Sequence, residues 1–96
     1  MAFMIYCLDK PDHVETRLAN RPAHVEHLTK HEQHLISAGP LLTDDGQTMI
    51  GSLLVVDFAE RSEVDAFLAA DPYTKAGLFQ SVTVKPYRNV FPRAAK

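Results

Sequence analysis

Several features that mark large classes of proteins are scarce or missing in this chain of 96 residues. A single cysteine, Cys7, rules out an internal disulfide, and chains without disulfides are typical of a reducing compartment. The formal net charge of -2 gives no excess of basic residues, so we expect no nucleic-acid partner. No apolar run approaches the roughly 20 residues that span a bilayer, and no basic leader precedes the first apolar segment. We therefore expect a cytoplasmic protein with no membrane partner.

The residues that are present have the composition of one ordinary globular domain, which we assign to residues 1–96. Hydrophobic residues make up 46% and charged residues 23% of the chain, as in soluble globular proteins. Its length allows one domain that folds alone around a core of limited depth. Cys7 lies within an apolar run, where a thiol usually behaves as a small hydrophobic group, so we expect a buried and unreactive cysteine. The C-terminal PRAAK is predicted to fray.

Apolar segments bounded by turn residues predict four strands. We place these strands at residues 2–8, 41–43, 49–59 and 79–87. The Asp-Asp-Gly-Gln sequence before the third strand contains Asp-Gly, a common hairpin signal. Two of the four segments, the first and the third, are almost continuously apolar.

Capping residues and prolines predict the helices between these strands. An Asp-x-x-Glu cap predicts a short helical turn over residues 12–19. Pro22 then predicts a new start, because proline is tolerated in the first turn of a helix and not in its interior. A long helix is expected over residues 21–38, with Gly39-Pro40 as its end.

A second helix is predicted to open with the cap pair Ser62 and Asp65. It should end before Asp71-Pro72, because the residue before a proline avoids helical geometry. Residues 72–77 then form at most one further turn. The complete order of elements is βαββαβ.

This order predicts a ferredoxin-like α+β fold. Two right-handed β-α-β crossovers give one four-stranded antiparallel sheet, in the order 4-1-3-2, with both helices on the same face. The two most apolar strands are then central, and their continuous apolar character indicates burial on both faces of the sheet. Two helices cover only one face. Because burying apolar surface contributes about 25 cal/mol per Å², we expect a homodimer that packs sheet to sheet.

Histidine is the most distinctive residue of the chain, because it changes charge near neutral pH and is the commonest metal ligand. Four of the five histidines recur at intervals of 3, 4 and 3: His24, His27, His31 and His34. On a helical wheel whose apolar stripe contains Val25, Leu28, Leu35 and Ile36, His24 lies at the edge of the stripe. His31 lies slightly further out, and the other two lie towards solvent. We expect a half-buried His24 whose pocket could tune its pKa, or a satisfied boundary histidine.

A metal site formed by His24, His27 and His31 is the competing interpretation of the histidine row. Residues seven apart lie roughly 10 Å apart along a helix, so three such imidazoles would converge on one ion only under strain. We therefore expect a solvated helix face at the outer histidines, and no metal.

Three other residues have two readings each that the pattern alone leaves open. Asp71 either caps the turn that follows it or orients an imidazole and stabilises its protonated form. Arg21 either binds an anionic ligand or lies exposed. Tyr73 either lines the same pocket or packs on the sheet.

The segments RPAHVEHL, HLISAGPLLTDDG, IGSLLVV and DPYTKAGLF resemble the YCII-related domain family. The resemblance covers residues 3–87 and rests on the order of three short motifs. These are R-x-x-H at a helix start, an AG-x-L turn, and DP-aromatic followed by Gly-Leu. The resemblance implies a ferredoxin-like fold that dimerises through its sheets into an α+β barrel.

The resemblance also implies a His-Asp pair lining a cleft, which by position is His24 and Asp71. Arg21 matches an arginine three residues before that histidine. The well-defined activity of the family is elimination of chloride from a chlorinated hydroxyquinol, and the fold is shared with muconolactone isomerase. Both are proton transfers on small oxygenated rings. The outer three histidines lie outside the family motif, so no role is carried onto them.

The combined hypothesis is a small lyase or isomerase that needs no cofactor and acts on a small aromatic compound or lactone. His24 would transfer a proton, Asp71 would fix the imidazole, and Arg21 or Tyr73 would hold the substrate. Acid–base help of this kind is typically worth about 10²- to 10⁴-fold in rate. The alternative is a dimeric module that binds a small ligand without catalysis. No local string encodes the identity of the substrate.

Overall fold

The computed structural model describes residues 1–92 of the chain, so most of the C-terminal segment that was predicted to fray lies outside the described residues. The elements in chain order are β1 (Ala2–Asp9), α1 (Val14–Lys30), a 3₁₀ turn (Glu32–His34), β2 (Leu35–Leu42), β3 (Met49–Asp57), α2 (Arg61–Ala69), α3 (Pro72–Lys75) and β4 (Phe79–Tyr87). This is the predicted βαββαβ order, with the extra turn after α2 present as α3.

The four strands form one antiparallel sheet in the order β2-β3-β1-β4. Read from the other edge, this is the predicted order 4-1-3-2, and the ferredoxin-like α+β fold is confirmed. The core lies between the central strands and the helices. It is formed by Phe3, Ile5, Cys7, Leu54, Val56, Phe58, Val64 and Phe67.

Cys7 occupies the middle of this core and is buried. Burial, assisted by the negative charge of Asp71, raises the pKa of the Cys7 thiol to about 12. A thiol with so high a pKa forms almost no thiolate at neutral pH, and the thiolate is the reactive species. The expected burial of Cys7 is therefore confirmed, and the raised pKa supports the prediction that its thiol is unreactive.

The predicted helix break at Pro22 is wrong, because α1 runs without interruption from Val14 to Lys30 with the proline inside it. A proline in a helix removes one hydrogen bond, the one to the carbonyl four residues earlier. That carbonyl belongs to Leu18, and both Leu18 and Pro22 lie on the exposed side of the helix. Water can therefore replace the lost donor, while the opposite side of α1 continues to pack on the sheet.

The predicted end of the long helix at residue 38 is also wrong. The helix ends at Lys30, and Leu35–Leu42 form an edge strand that pairs with β3 from Leu35 opposite Val56 onwards. The Gly39-Pro40 pair lies inside this strand and does not end a helix. An edge strand tolerates proline, because one row of its backbone N–H groups has no partner strand.

The sheet face opposite the helices is partly apolar, as the alternation along the central strands requires. Tyr6 and Leu53 face each other across β1 and β3, and each is 39% exposed. Met4 and Val55 form the next pair along the same strands and are half-buried. We call the surface formed by these four residues the open sheet face.

Among residues 1–92, no helix is long and apolar enough to cross a bilayer. The expected cytoplasmic location, the homodimer and the extent of the single domain to residue 96 stay predictions.

At Gly51 the sheet has no room for a side chain, so a substitution there tests the pairing of β1 with β3. A Cβ atom at this position would collide with the backbone carbonyl oxygen of Cys7, so Gly51→Ala must push the two strands apart. We expect a loss of about 1–3 kcal/mol in the free energy of unfolding, measured by urea denaturation. Gly39→Ala is the control, because a Cβ there meets nothing within 4 Å. Equal stability of the two variants would contradict this account of the sheet.

Candidate functional site

His24 and Asp71 are 47 residues apart in the chain and meet where the buried face of α1 contacts the start of α3. His24 Nδ1 lies 2.8 Å from Asp71 Oδ1, and the two residues are 8% and 2% exposed. An ionised carboxylate only accepts hydrogen bonds, so Nδ1 carries the proton and donates it to Asp71. The other ring nitrogen, Nε2, is thereby left unprotonated in the neutral imidazole and is the one available to a ligand.

Asp71 is fixed by the backbone that follows it. It is the N-cap of α3, and its Oδ1 also accepts a hydrogen bond from Tyr73 N at 2.9 Å. Pro72 occupies the first position of this short helix, where its missing N–H costs nothing. The sequence left open whether this residue caps a turn or contacts an imidazole. One carboxylate oxygen makes both contacts.

Tyr73 lies in the wall beside His24. The phenol and imidazole rings stack with centroids 3.9 Å apart and planes 15° apart. Burial raises the pKa of Tyr73, although the positive charges of Arg17 and Arg21 oppose the shift, so the phenol is protonated at neutral pH. Its buried hydroxyl has no hydrogen-bond partner within the described part of the chain, which normally costs about 1–3 kcal/mol.

Arg17 is a buried charge that the sequence analysis missed. Its Nε donates to Asp9 Oδ2 at 2.7 Å, and its Nη2 donates to Asp9 Oδ1 at 3.0 Å and to Ser52 Oγ at 2.8 Å. Burial alone would lower the pKa of Arg17, but the hydrogen bonds and negative charge of Asp9, with a smaller contribution from Tyr73, raise it. The guanidinium carbon also lies 4.6 Å from the centroid of the Tyr73 ring.

A signal for Arg17 was present in the sequence. Arg17, Arg21 and His24 recur at intervals of four and three, which places them on one face of a continuous helix. The predicted break at Pro22 separated the first arginine from the other two. The shared helix face of these three residues was therefore not recognised, because the rule that proline breaks a helix does not hold at Pro22 in α1.

These side chains line one cavity of about 170 Å³. Its polar wall is formed by Arg17, Arg21, His24, Ser52 and Tyr73, and its apolar wall by Val25, Leu28, Ala38, Gly39, Pro40 and Leu54. The volume is comparable to that of an engineered cavity of about 150 Å³ that binds benzene. The structure thus brings three of the four predicted site residues to the cavity wall, with Asp71 hydrogen-bonded to one of them.

The outer histidines are arranged differently from the prediction. His27 is buried and not solvated, because α1 ends before the residues that were used to place its apolar stripe. Its Nε2 donates to the carbonyl oxygen of Phe67 at 3.0 Å. His31 Nδ1 donates to His27 O, and His34 Nδ1 donates to Asp57 O, each at 2.9 Å. Within residues 1–92, no group of three or more histidine, cysteine or acidic side chains is placed to hold a metal ion.

Solved structures resemble this fold to different degrees. One is 5-chloro-2-hydroxyhydroquinone dehydrochlorinase (TftG) from Burkholderia phenoliruptrix AC1100, in complex with 2,5-dihydroxybenzoquinone. It shares 33% sequence identity with a TM-score of 0.87, over 93% of this chain and 95% of that chain. A putative antibiotic biosynthesis monooxygenase from Bacteroides thetaiotaomicron covers 100% of this chain and 94% of that chain. Its TM-score is 0.59 at 12% identity, which indicates a shared fold alone.

Sequence relatives give the family directly. Protein YciI of Escherichia coli O6:H1 is 37% identical over 98 residues, covering 95% of this chain and 100% of that protein. An uncharacterized protein of Haemophilus influenzae is 33% identical over the same shares of the two chains. The YCII-related domain matches residues 1–88. The chain belongs to the YCII-related domain family.

Proposed function

We propose that this protein is a lyase or isomerase that needs no cofactor and transfers a proton on a small oxygenated ring compound. The observation that carries the proposal is the buried hydrogen bond from His24 Nδ1 to Asp71, made at the wall of a cavity of ligand size. This bond leaves Nε2 of His24 as the proton acceptor. An adjacent carboxylate holds an imidazole in one tautomer and stabilises the imidazolium that forms when it takes a proton.

The other polar groups of the wall fit the recognition of an oxygenated ligand. The protonated and unpartnered hydroxyl of Tyr73 is a donor for a ligand oxygen. Arg21 adds a positive charge at the same wall, so an anionic oxygen is favoured there. The charge of Arg17 is paired with Asp9, and we assign it to holding the Tyr73 ring rather than to binding the ligand.

A relative with a lyase activity supports this reaction class, since the dehydrochlorinase is 33% identical to this chain. Loss of HCl from a chlorinated hydroxyquinol requires proton transfer but no oxidant. A hydroxyl proton first moves to the ring carbon that bears chlorine, and the hydroxyl oxygen becomes the carbonyl of the keto tautomer. Removal of a hydroxyl proton then supplies the electron pair that expels chloride, and a hydroxyquinone results. His24 can relay both protons, with Asp71 stabilising each imidazolium.

Two assays test the proposed reaction. One measures chloride release from 5-chloro-2-hydroxyhydroquinone, and the other measures proton exchange on a panel of small hydroxylated aromatic acids and lactones. We expect His24→Ala to lower turnover by about 10²- to 10⁴-fold, and Asp71→Asn to lower it as well, because an amide lacks the negative charge that stabilises the imidazolium. Circular dichroism should show both variants folded.

His34→Ala is the matched control for these variants, because His34 lies outside the cavity wall and its ring stacks on Phe58 rather than on His24 or His27. We expect it to keep the activity of the parent protein. Unchanged turnover in His24→Ala would contradict the proposed role. Binding of ring compounds by the parent without turnover of any of them would favour the ligand-binding module instead.

Replacing Tyr73 by Phe tests whether its hydroxyl binds ligand. The hydroxyl has no partner among the described residues, so its removal should leave stability unchanged or raise it. Affinity for 2,5-dihydroxybenzoquinone should fall by about 3- to 10-fold in calorimetric titration, the loss expected for one neutral hydrogen bond. A variant that is less stable but binds as the parent does would show that the hydroxyl is structural.

We also propose that two copies of the chain pack with their open sheet faces together. Tyr6 and Leu53 are large apolar side chains at the centre of this face and are each 39% exposed. Burying apolar surface of this kind contributes about 25 cal/mol per Å², and a second copy supplies a matching face through two-fold symmetry.

Sedimentation of Leu53→Glu tests the dimer. A buried unpaired carboxylate on each subunit should shift the parent dimer to monomers at micromolar concentration. Val82→Glu is the control, because Val82 is 44% exposed but lies opposite Cys7 on the helix side of the sheet. A parent protein that sediments as a monomer, or an equal effect of the two substitutions, would contradict the proposed interface.

A further inference from the structure

His27 is a buried polar side chain to which neither the family motif nor the proposed reaction gives a role. Its ring stacks on Phe67 with centroids 4.9 Å apart, and its Nε2 donates to the Phe67 carbonyl oxygen at 3.0 Å. Phe67 belongs to α2, near the C-terminal end at Ala69. Of the hydrogen bonds among residues 1–92, this is the one that joins a side chain of α1 to the backbone of α2.

The Phe67 carbonyl needs a donor from outside its own helix. The last carbonyls of a helix have no intrahelical partner, and the N–H four residues after Phe67 belongs to Asp71. That N–H bonds instead to Leu68 O at 3.1 Å, and Pro72 has no N–H to offer. His27 therefore supplies the missing donor and caps the C-terminal end of α2.

Two imidazoles of α1 thus form hydrogen bonds to the short segment from Phe67 to Asp71. His24 and His27 are three residues apart and share a helix face. They bind the Asp71 carboxylate and the Phe67 carbonyl, which are four residues apart. The stretch between them is closed by an internal hydrogen bond, because Asp71 N donates to Leu68 O at 3.1 Å. A shift of the Phe67 end would therefore be passed on to Asp71.

We propose that His27 is a positioning residue for the His24–Asp71 pair. By holding the C-terminal end of α2 against α1, it sets the point at which the chain turns into Asp71 and so places the carboxylate opposite His24 Nδ1. The consequence for turnover rests on the proposed function. The geometric role does not, because it concerns a hydrogen bond present without substrate.

The charge state of His27 agrees with this role. Burial lowers the pKa of His27, although its hydrogen bond to Phe67 O and the charge of Asp71 oppose the shift. A neutral His27 that donates through Nε2 has an unprotonated Nδ1. It also adds no positive charge beside the imidazolium that His24 forms when it takes a proton.

A pair of variants separates the hydrogen bond from the ring. His27→Phe keeps an aromatic ring against Phe67 but has no donor, whereas His27→Gln keeps an N–H donor without the ring. The readout is exchange of the His24 Nδ1 proton with solvent, followed by ¹H–¹⁵N NMR without ligand. We expect exchange at least about tenfold faster in His27→Phe, because the pair opens more often, and near-parent exchange in His27→Gln.

Equal exchange in His27→Phe and the parent protein would overturn the proposal. If His27→Phe does not fold, the ¹⁵N shifts of His27 in the parent decide: the proposal requires the proton on Nε2 at neutral pH, and a proton on Nδ1 alone would overturn it. Where a substrate is turned over, His27→Phe should lower kcat and leave KM nearly unchanged, since His27 does not line the cavity. An inactive parent protein with the expected NMR result would refute the proposed function but not this role.

Discussion

The buried face of α1 carries three polar side chains, and the fold depends on each of them meeting a partner. Arg17 binds Asp9 and Ser52, His24 binds Asp71, and His27 binds a backbone carbonyl of α2. Removing one member of a buried charge pair typically costs about 3–5 kcal/mol, because the other member stays desolvated. These contacts reach β1, β3, α2 and α3, so they fix the register of the helix on the sheet more narrowly than apolar packing alone would.

Tyr73, in α3, is a buried polar side chain that lacks such a partner in the described part of the chain, and its hydroxyl bears on the proposed ligand. Its ring stacks on the His24 imidazole and lies against the Arg17 guanidinium, so the phenol has little freedom to turn towards water. Its hydroxyl nevertheless has no partner among residues 1–92. A buried donor that the protein leaves unmatched favours a ligand that brings an acceptor oxygen, because binding recovers the cost of desolvation. This single group supports the proposed oxygenated ligand more directly than the volume of the cavity does.

The sequence carried the fold further than it carried the site. The strand order could be predicted from the order of elements and the apolar character of two strands. The residues of β1 and β3 are themselves apolar enough to show that these strands are central. Pro22 and Gly39-Pro40 misled the prediction, since local rules for proline were overridden by packing of α1 and by pairing of β2 with β3. Asp71 could be matched to His24 only through the family resemblance, because no local pattern relates residues in different elements. Arg17 was not predicted as a site residue, because the helix break wrongly predicted at Pro22 separated it from Arg21 and His24.

The alternation of β3 separates the cavity from the proposed subunit interface. Ser52 and Leu54 point to the helices and line the cavity, whereas Leu53 and Val55 lie on the open sheet face. Side chains that are adjacent in a strand point to opposite faces, so a partner on the open sheet face would not cover the ligand. The side chains that line the cavity and those of the proposed interface therefore alternate along β3.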